Sequence, residues 1–318
     1  MLNNNQTNNA DNVREYYKTN LGVTYLSRIE EFINSLHGSK LKSKVNLILT
    51  SPPFPLNRKK KYGNENGTEY IKMISSLATS LKEFLTTNGS IVLEIGNAWE
   101  KGNPTMSTLP IKTLLSFLEE GKLNLCEQFI CYNPARLPGP TQWVNIERIR
   151  VKDAFTNAWW MSPSPYPKAN NRNVLTEYSP SMKALLKSKK YNSGVRPSEH
   201  HIGTKSFLQN NGGAIPSNVL IISNTESSSE YLKYCKSKKL EPHPARMPHF
   251  FAKFFIEFLT EPGDLVMDPF AGSNSTGFAA EALGRQWVSV EANENYILGS
   301  IGRFGRNNVI LKRKKKLQ

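Results

Sequence analysis

The stretch Thr50-Ser51-Pro52-Pro53-Phe54 brings together a hydroxyl, two rigid carbonyl-bearing residues and an aromatic ring. It follows Val45 to Leu49, apolar except for Asn46, which reads as a buried strand. Proline fixes its own backbone and holds the residue before it extended, so the strand stops with Ser51 and Pro52 presented at its end. Ligands of open α/β sheets bind at such strand ends. A flat, amino-bearing base could stack on Phe54 while Ser51 and the Pro52 carbonyl accept hydrogen bonds from its amino group. A strand that merely ends in a Pro-Pro turn would have the same residues, so the rest of the chain must decide.

A second constellation lies far downstream. Leu265-Val266-Met267 reads as a strand, and Asp268-Pro269-Phe270-Ala271-Gly272-Ser273-Asn274-Ser275-Thr276-Gly277 as a turn rich in small residues. A helix is expected from Thr276 to Leu283, closed by Gly284, and then a strand Trp287-Val288-Ser289-Val290 ending in Glu291. A nucleoside-binding βαβ unit wants this order. Small residues admit a ligand to the backbone, helix N-terminal amides face an anionic group, and the distant carboxylate accepts ribose hydroxyls. The turn is not Gly-x-Gly-x-x-Gly, which weakens a dinucleotide reading, and not Gly-x-x-x-x-Gly-Lys-Ser/Thr, which excludes a P-loop.

The remaining elements must position these two stretches. Leu26, Ile29, Phe32, Ile33 and Leu36 recur at helical spacing from Tyr25, with His37-Gly38 as the end. A helix is expected from Tyr70 to Leu85, with Asn88-Gly89 as its C-cap. Strands are expected at Ile91–Gly96, Asn124–Tyr132 and Asn157–Met161, and a helix from Pro110 to Leu118. The six aromatic or aliphatic residues Phe250, Phe251, Phe254, Phe255, Phe258 and Leu259 predict a core helix rather than an aromatic binding box. Strand and helix alternate, so the fold class is α/β with a largely parallel sheet.

Residues 1–12 are Asn-rich and aperiodic and read as a tail. From Ser162 to about Pro242 the chain is rich in Pro, Ser, Asn and Lys with weak periodicity, and residues 163–242 read as a loop-rich recognition region whose end, from Gly212 to Ser223, rejoins the core. Its cations Arg172, Lys189, Lys190, Arg196 and His200, with Arg58, Lys59, Lys60 and Lys61 just after Phe54, suit nucleic-acid contact. The net charge of +15 over 318 residues points the same way, to a polyanionic partner. No apolar run is long enough to span a bilayer and no signal peptide is present, so a cytoplasmic protein is expected. The three cysteines, Cys126, Cys131 and Cys235, have no metal-ligand spacing, and no metal is expected.

Jointly, Ser51-Pro52-Pro53-Phe54 and Asp268 to Gly277 resemble the catalytic and cofactor motifs of the DNA amino-methyltransferases. Catalytic motif before cofactor motif resembles their permuted β group. Serine before Pro-Pro, with Phe after, resembles the cytosine-N4 enzymes of restriction–modification systems, of the PvuII type. The resemblance extends through Arg58 to Asn64, Trp143-Val144-Asn145, Arg150 to Ala154, Asn211 to Pro216 and His243-Pro244-Ala245-Arg246, covering roughly Val45 to Phe304.

The resemblance implies a Rossmann-like methyltransferase fold with a mixed seven-stranded sheet, S-adenosylmethionine as donor and double-stranded DNA as substrate. Residues 13–162 would form the catalytic half, 243–311 the donor-binding half and 312–318 a basic tail. Ser51, Pro52, Pro53 and Phe54 would clamp a flipped-out cytosine. Asp268, Phe270, Gly272, Ser273, Asn274 and Thr276 would shape the donor pocket and Glu291 would hold its ribose. His243, Pro244, Arg246, Thr260 and Glu261 would lie near its methionine end. Asn274 stands where most relatives have glycine, and relatives carry an acidic residue, to be sought here between Thr24 and Glu31, that meets the donor adenine. A monomer or weak dimer is expected, and a cognate endonuclease would share the site but need not bind the protein. A cytosine-C5 enzyme would need Pro-Cys-Gln, which is absent. Adenine-N6 methylation, or a catalytically silent DNA-binding protein, remain the alternatives.

Overall fold

The computed structural model describes residues 13–54, 67–190, 193–203, 208–222, 228–305 and 308–312. The proposed tail at 1–12 and the cations Arg58, Lys59, Lys60 and Lys61 lie outside the described residues, as does the basic tail beyond Lys312. Two compact units are present: Asn170–Ser217, and everything else.

The larger unit opens with β1 (Arg14–Lys18), β2 (Gly22–Leu26), two short helices α1 (Ile29–Ile33) and α2 (Leu36–Ser39), and β3 (Val45–Thr50). It continues with α3 (Gly67–Phe84), β4 (Leu85–Gly96), α4 (Leu109–Gly121), β5 (Asn124–Tyr132) and β6 (Phe155–Ser162). The smaller unit holds α5 (Pro180–Ser188) and a hairpin of β7 (Gly194–Val195) and β8 (His201–Ile202). The larger unit then resumes with β9 (Val219–Ile221), α6 (Glu230–Lys238), α7 (His249–Leu259), β10 (Leu265–Asp268), α8 (Ser275–Ala282), β11 (Gln286–Glu291), α9 (Glu294–Phe304) and β12 (Ile310–Leu311).

The sheet has ten strands in the order β12-β1-β2-β11-β10-β3-β4-β6-β5-β9. The expected seven are its centre: β2, β11, β10, β3 and β4 run parallel, and β6 and β5 follow with β6 antiparallel to both neighbours. Short strands β1 and β12 extend one edge and β9 the other. The crossover β3–α3–β4 leads to one side and β10–α8–β11 to the other. The strand order therefore reverses between β3 and β10, and a crevice opens at their C-terminal ends.

Helices cover both faces. Ile74, Leu77, Ala78 and Leu81 of α3 join Leu114 and Phe117 of α4 in one core cluster with Ile48, Ile91 and Trp159. Trp160, next along β6, points the opposite way. It packs on Phe258 of α7, whose Phe254, Phe255 and Phe258 also surround Phe129. Phe251, Phe254, Phe255 and Leu259 are buried as the spacing predicts and Phe258 is half-buried, whereas Phe250, at the start of α7, is 54% exposed.

Three local expectations are corrected. The stretch from Tyr25 to Leu36 is not one helix. Gly22–Leu26 pairs in parallel with Trp287–Glu291, and that ladder outweighs local periodicity, leaving only Ile29–Ile33 helical before a break and α2, within which His37-Gly38 lies. Asn88-Gly89 is not a helix cap but lies inside β4, which starts immediately after α3. A Cβ at Gly89 would meet the Val45 carbonyl at 2.9 Å, so glycine is required there by the close approach of β3. The irregular region ends before Pro242: β9 rejoins the main sheet within the expected Gly212–Ser223, but the stretch after it, expected to be loop-rich, forms α6, which packs on α9 with Cys235 and Tyr231 against Gly299.

Candidate active site

The crevice holds a cavity of about 720 Å³, lined by Ser51, Pro52, Pro53 and Phe54 from the end of β3 and by Asp268 to Gly272 after β10. Ser273, Ser275, Thr276, Glu291, His243 and Ala245 also line it. The topology thus joins two stretches more than two hundred residues apart in sequence.

A direct bond links them. Thr50 Oγ1 donates to Asp268 Oδ1 at 2.7 Å, Thr276 Oγ1 donates to Oδ2 at 2.7 Å, and the Phe270 amide donates to Oδ1 at 3.0 Å. Burial raises the Asp268 pKa to about 6, and those three donors act against the rise. Glu291 closes the other side of the turn. Its Oε2 accepts the Gly272 amide at 2.7 Å and its Oε1 accepts the Asn293 amide at 2.8 Å. Burial raises its pKa as well, against both amides. Each carboxylate oxygen keeps a lone pair for a further donor such as a ribose hydroxyl.

Asn274 does not line the cavity. It sits beneath the turn, 1% exposed, in the left-handed conformation at φ 55° that a glycine would take. Asparagine tolerates this region, and four bonds hold it: its Nδ2 donates to Tyr17 and Thr24 hydroxyls, and its Oδ1 accepts the Gly277 amide and the Ser289 hydroxyl. The tight turn forms without glycine.

Four other residues expected at the donor are not on the cavity wall. Thr260 and Glu261 precede β10 and so lie at the N-terminal end of the strand whose C-terminal end forms the site. Thr260 there accepts bonds from the buried Arg285, and the Glu261 amide donates to Asp264. The Arg246 guanidinium lies over the Tyr231 ring and donates to the His243 carbonyl at 3.0 Å, and Pro244 is likewise outside the lining. His243 does line the cavity, edge-on to Tyr296. Burial lowers its pKa to about 4, so the imidazole is neutral at pH 7. Arg172, Lys189, Lys190, Arg196 and His200 are all exposed in the smaller unit: Arg172 on a short helical turn at Asn171–Val174, Lys189 and Lys190 just past α5, and Arg196 and His200 in the β7–β8 hairpin.

Met73 and Asn293 to Tyr296 line the cavity and were not singled out in the sequence, whereas Ser27 to Glu30, also on its wall, fall within the Thr24–Glu31 stretch where an acidic residue was sought. The Ser27 amide donates to the Glu291 carbonyl at 3.0 Å, which puts the 27–30 segment beside Glu291. Glu30 is the acidic residue of that segment on the wall, ion-paired to Arg28 at 3.5 Å.

The most informative omission is Glu94 on β4. It is 8% exposed, it accepts the Thr156 hydroxyl at 3.0 Å, and it is hydrogen-bonded to the Ser51 side chain. Burial raises its pKa, opposed by these two hydroxyls and by Arg136. An acidic residue inside the apolar run Ile91–Ile95 was the available signal, because carboxylates are rarely buried without a partner. Phe54 lies close over Gly96 at the end of the same strand, where a Cβ would meet the ring at 2.9 Å.

The cavity therefore has two ends. One is a turn of small residues with a carboxylate at the next strand end, which fits a nucleoside-bearing donor. The other is a hydroxyl, a carbonyl and an aromatic ring, which fits a flat amino-bearing base. The whole volume lies within the range of drug-sized ligand sites, roughly 300–1,000 Å³. A family model described as DNA methylase, that of the N6/N4 methyltransferases, matches residues 45–301. Type II methyltransferase M.PvuII of Proteus hauseri is 42% identical over 295 residues, 92% of this chain and 86% of that protein. Among solved structures, PvuII DNA methyltransferase (cytosine-N4-specific) aligns with a TM-score of 0.73 at 36% identity, covering 93% of this chain and 92% of that one. The M1.HpyAVI–SAM complex aligns with a TM-score of 0.53 at 19% identity over 89% and 100% of the two chains, a likeness of fold. With the motif order, the sheet and the cavity in agreement, the chain belongs to the N6/N4 DNA methylase family and is an S-adenosylmethionine-dependent DNA methyltransferase.

Proposed function

We propose that the protein methylates the exocyclic N4 of a cytosine extruded from duplex DNA, at one recognition sequence, as the protective member of a restriction–modification pair. The observation that carries this reading is the pairing of the Ser51 hydroxyl with the buried Glu94 carboxylate at the mouth of the Asp268–Glu291 cavity.

When bound, S-adenosylmethionine supplies an electrophilic methyl group on sulfur. Glu291 would hold its ribose hydroxyls, and the 27–30 segment beside it would house the adenine. The neutral His243 and the turn around Gly272 close the methionine end. On the acceptor side Phe54 stacks on the cytosine. Ionised Glu94 can only accept hydrogen bonds, so it takes the Ser51 proton and turns the serine lone pairs outward. Ser51 and the Pro52 carbonyl then accept both amino protons, which draws N4 from planarity and returns its lone pair for attack on the methyl. Methyl transfer would form the N–C bond as the donor's S–C bond breaks, and N4 would then lose a proton through Ser51 towards Glu94 or water. Orientation in the cavity supplies much of the acceleration.

Arg172, Lys189, Lys190, Arg196 and His200 of the smaller unit would contact the duplex, with Arg58 to Lys61. The protein would act in the cytoplasm as a monomer or weak dimer, and its cognate endonuclease would share the sequence but need not bind it. Plasmid DNA incubated with the protein and labelled donor should yield N4-methylcytosine in a single sequence context. N6-methyladenine instead would overturn the base assignment, and absence of label would overturn the activity.

A further inference from the structure

The C-terminal edge of the sheet carries a second, shallower cavity of about 410 Å³, separate from the one that holds Ser51 and Asp268. It lies between the connection after β4 and the residues that lead into β6. Trp99 and Met106 form one wall, and Arg150, Val151 and Phe155 the other. Bonds tie the walls together: Arg150 Nε donates to the Pro104 carbonyl at 2.8 Å, and Asn97 Nδ2 donates to Asp153 at 2.8 Å.

The surface around this cavity is apolar and basic together. Val151 is 86% exposed, Leu137 83% and Ile146 65%, all within the connection between β5 and β6. That connection is ordered by its own bonds, from the Asp153 amide to the Gly139 carbonyl and from Lys152 to the Pro134 carbonyl. Arg150 lines the cavity and is exposed, and Arg148, also exposed, lies two residues before it in the same connection. Of the apolar residues Val151 lines the cavity, opposite Met106, itself 50% exposed, and apolar side chains gathered at a surface mark an interaction site. Guanidinium groups set among its side chains select a partner that is anionic and also offers flat apolar faces, a description that fits a nucleic-acid strand with exposed bases or sugars.

Position makes this specific. Thr156, one residue into β6 from Phe155, donates to Glu94, and Glu94 is hydrogen-bonded to Ser51. Strands β3, β4 and β6 are adjacent, about 4.8 Å apart each, so the cavity lies on the order of 10 Å along the sheet edge from the Ser51 strand end. At about 3.4 Å per nucleotide along one strand, that is roughly three nucleotides. We infer that this groove receives the DNA strand flanking the extruded base, with Arg148 and Arg150 on its phosphates and Trp99, Met106 and Val151 against the unstacked face beside the vacancy. The inference rests on the reading that the protein extrudes a base from duplex DNA, and it gives that reaction a surface that holds the distorted strand.

The test uses the full-length protein and a plasmid-derived duplex fragment that the wild type methylates. Duplex affinity is followed by fluorescence anisotropy against salt, and S-adenosylmethionine affinity by calorimetry. Val151→Asp should weaken duplex binding at least about tenfold, with Val151→Ala giving a smaller loss. Arg148→Gln should reduce the slope of log affinity against log salt by about one, the signature of a single lost phosphate contact. All three should keep wild-type donor affinity. An unchanged slope in Arg148→Gln overturns the inference by itself, since glutamine at that exposed position meets the same left-handed backbone as arginine and removes only the charge. A wild-type dimer that Val151→Asp converts to monomer also overturns it, by making the patch a self-association surface. Failure of the underlying reading looks different: the wild type itself would then transfer no methyl group to the duplex.

Discussion

The Ser51 hydroxyl is hydrogen-bonded to the Glu94 carboxylate on the neighbouring strand, and Thr156 holds that same carboxylate from the strand beyond. Three adjacent strand ends therefore fix the direction in which one hydroxyl points. Ser51→Ala removes the outward lone pairs and leaves Glu94 short of a donor. Single-turnover methyl transfer should fall by about two orders of magnitude, the usual loss of one positioned hydrogen-bonding group at a reacting centre. Donor affinity by calorimetry should stay close to wild type, because Ser51 is at the acceptor end of the cavity. Near-normal turnover in this variant would remove Ser51 from the mechanism.

Glu94 gives the same reaction a pH dependence. Its burial raises its pKa, so it takes up a proton at a higher pH than an ordinary carboxylate. Once protonated it can donate to Ser51, whose own hydrogen then turns towards the amine and blocks it. The rate should therefore fall on the acid side, with a midpoint above the usual carboxylate range. In Glu94→Gln the rate should be low and flat across that range. An acid limb that survives unchanged in Glu94→Gln would belong to another group, such as Asp268 with its pKa of about 6.

Residues at strand ends were legible in the sequence, and residues that support them were not. Ser51 to Phe54 and Asp268 to Glu291 stand out because proline, glycine and small polar residues at the end of an apolar run have few structural uses. Glu94, Thr156 and Gly96 matter only through strand neighbours, and the order β3-β4-β6 cannot be read from local pattern. The same limit explains β2. Tyr25 and Leu26 carry a helical spacing, yet the open edge of β11 takes them as a strand. Thr260 and Glu261 show the converse: the resemblance implied a place near the donor, yet the length of β10 separates them from the strand end that forms the cavity.

Glu291 anchors the donor side through two backbone amides as well as through the proposed ribose contact. Glu291→Gln keeps the shape but puts an amino group where one lone-pair set was, so one amide loses its acceptor and a ribose hydroxyl loses its partner. Donor affinity should fall at least about tenfold, which corresponds to about 1.4 kcal/mol. Methyl transfer at saturating donor should largely recover. A variant whose turnover collapses at saturating donor with unchanged affinity would place Glu291 outside donor binding.

Gly96 bears on the base pocket through Phe54. A Cβ at position 96 would stand 2.9 Å from the Phe54 ring, which must then swing away. Gly96→Ala should leave global stability little changed, because the ring is partly exposed and free to move, but should raise the DNA concentration needed for half-maximal rate. Substitution of Phe54 by Leu in the Gly96→Ala background should add little further loss, since the stacking surface is already misplaced. Additive losses in the double variant would show that the two positions act independently.

Asp268 links stability to pH with a sign opposite to that of most native carboxylates. Its folded pKa, about 6, lies above the ordinary value of 3.8, because burial outweighs three hydrogen bonds. The folded state therefore binds the proton more tightly than the unfolded chain. Above about pH 6 the ionised form carries the full burial cost, and the cost is relieved as pH falls from about 6 to about 4. Neutral His243 works the other way, since burial holds its folded pKa at about 4 and the unfolded chain gains protons first below pH 6.5. The wild-type pH profile mixes the two, so the comparison needed is with Asp268→Asn, in which only the first contribution is lost. Urea denaturation at fixed temperature should show the wild type gaining stability relative to Asp268→Asn over that interval, by a total on the order of 3 kcal/mol. A difference that stays constant from pH 7 to pH 4 would mean that the bonds from Thr50, Thr276 and the Phe270 amide fully offset the burial of the carboxylate.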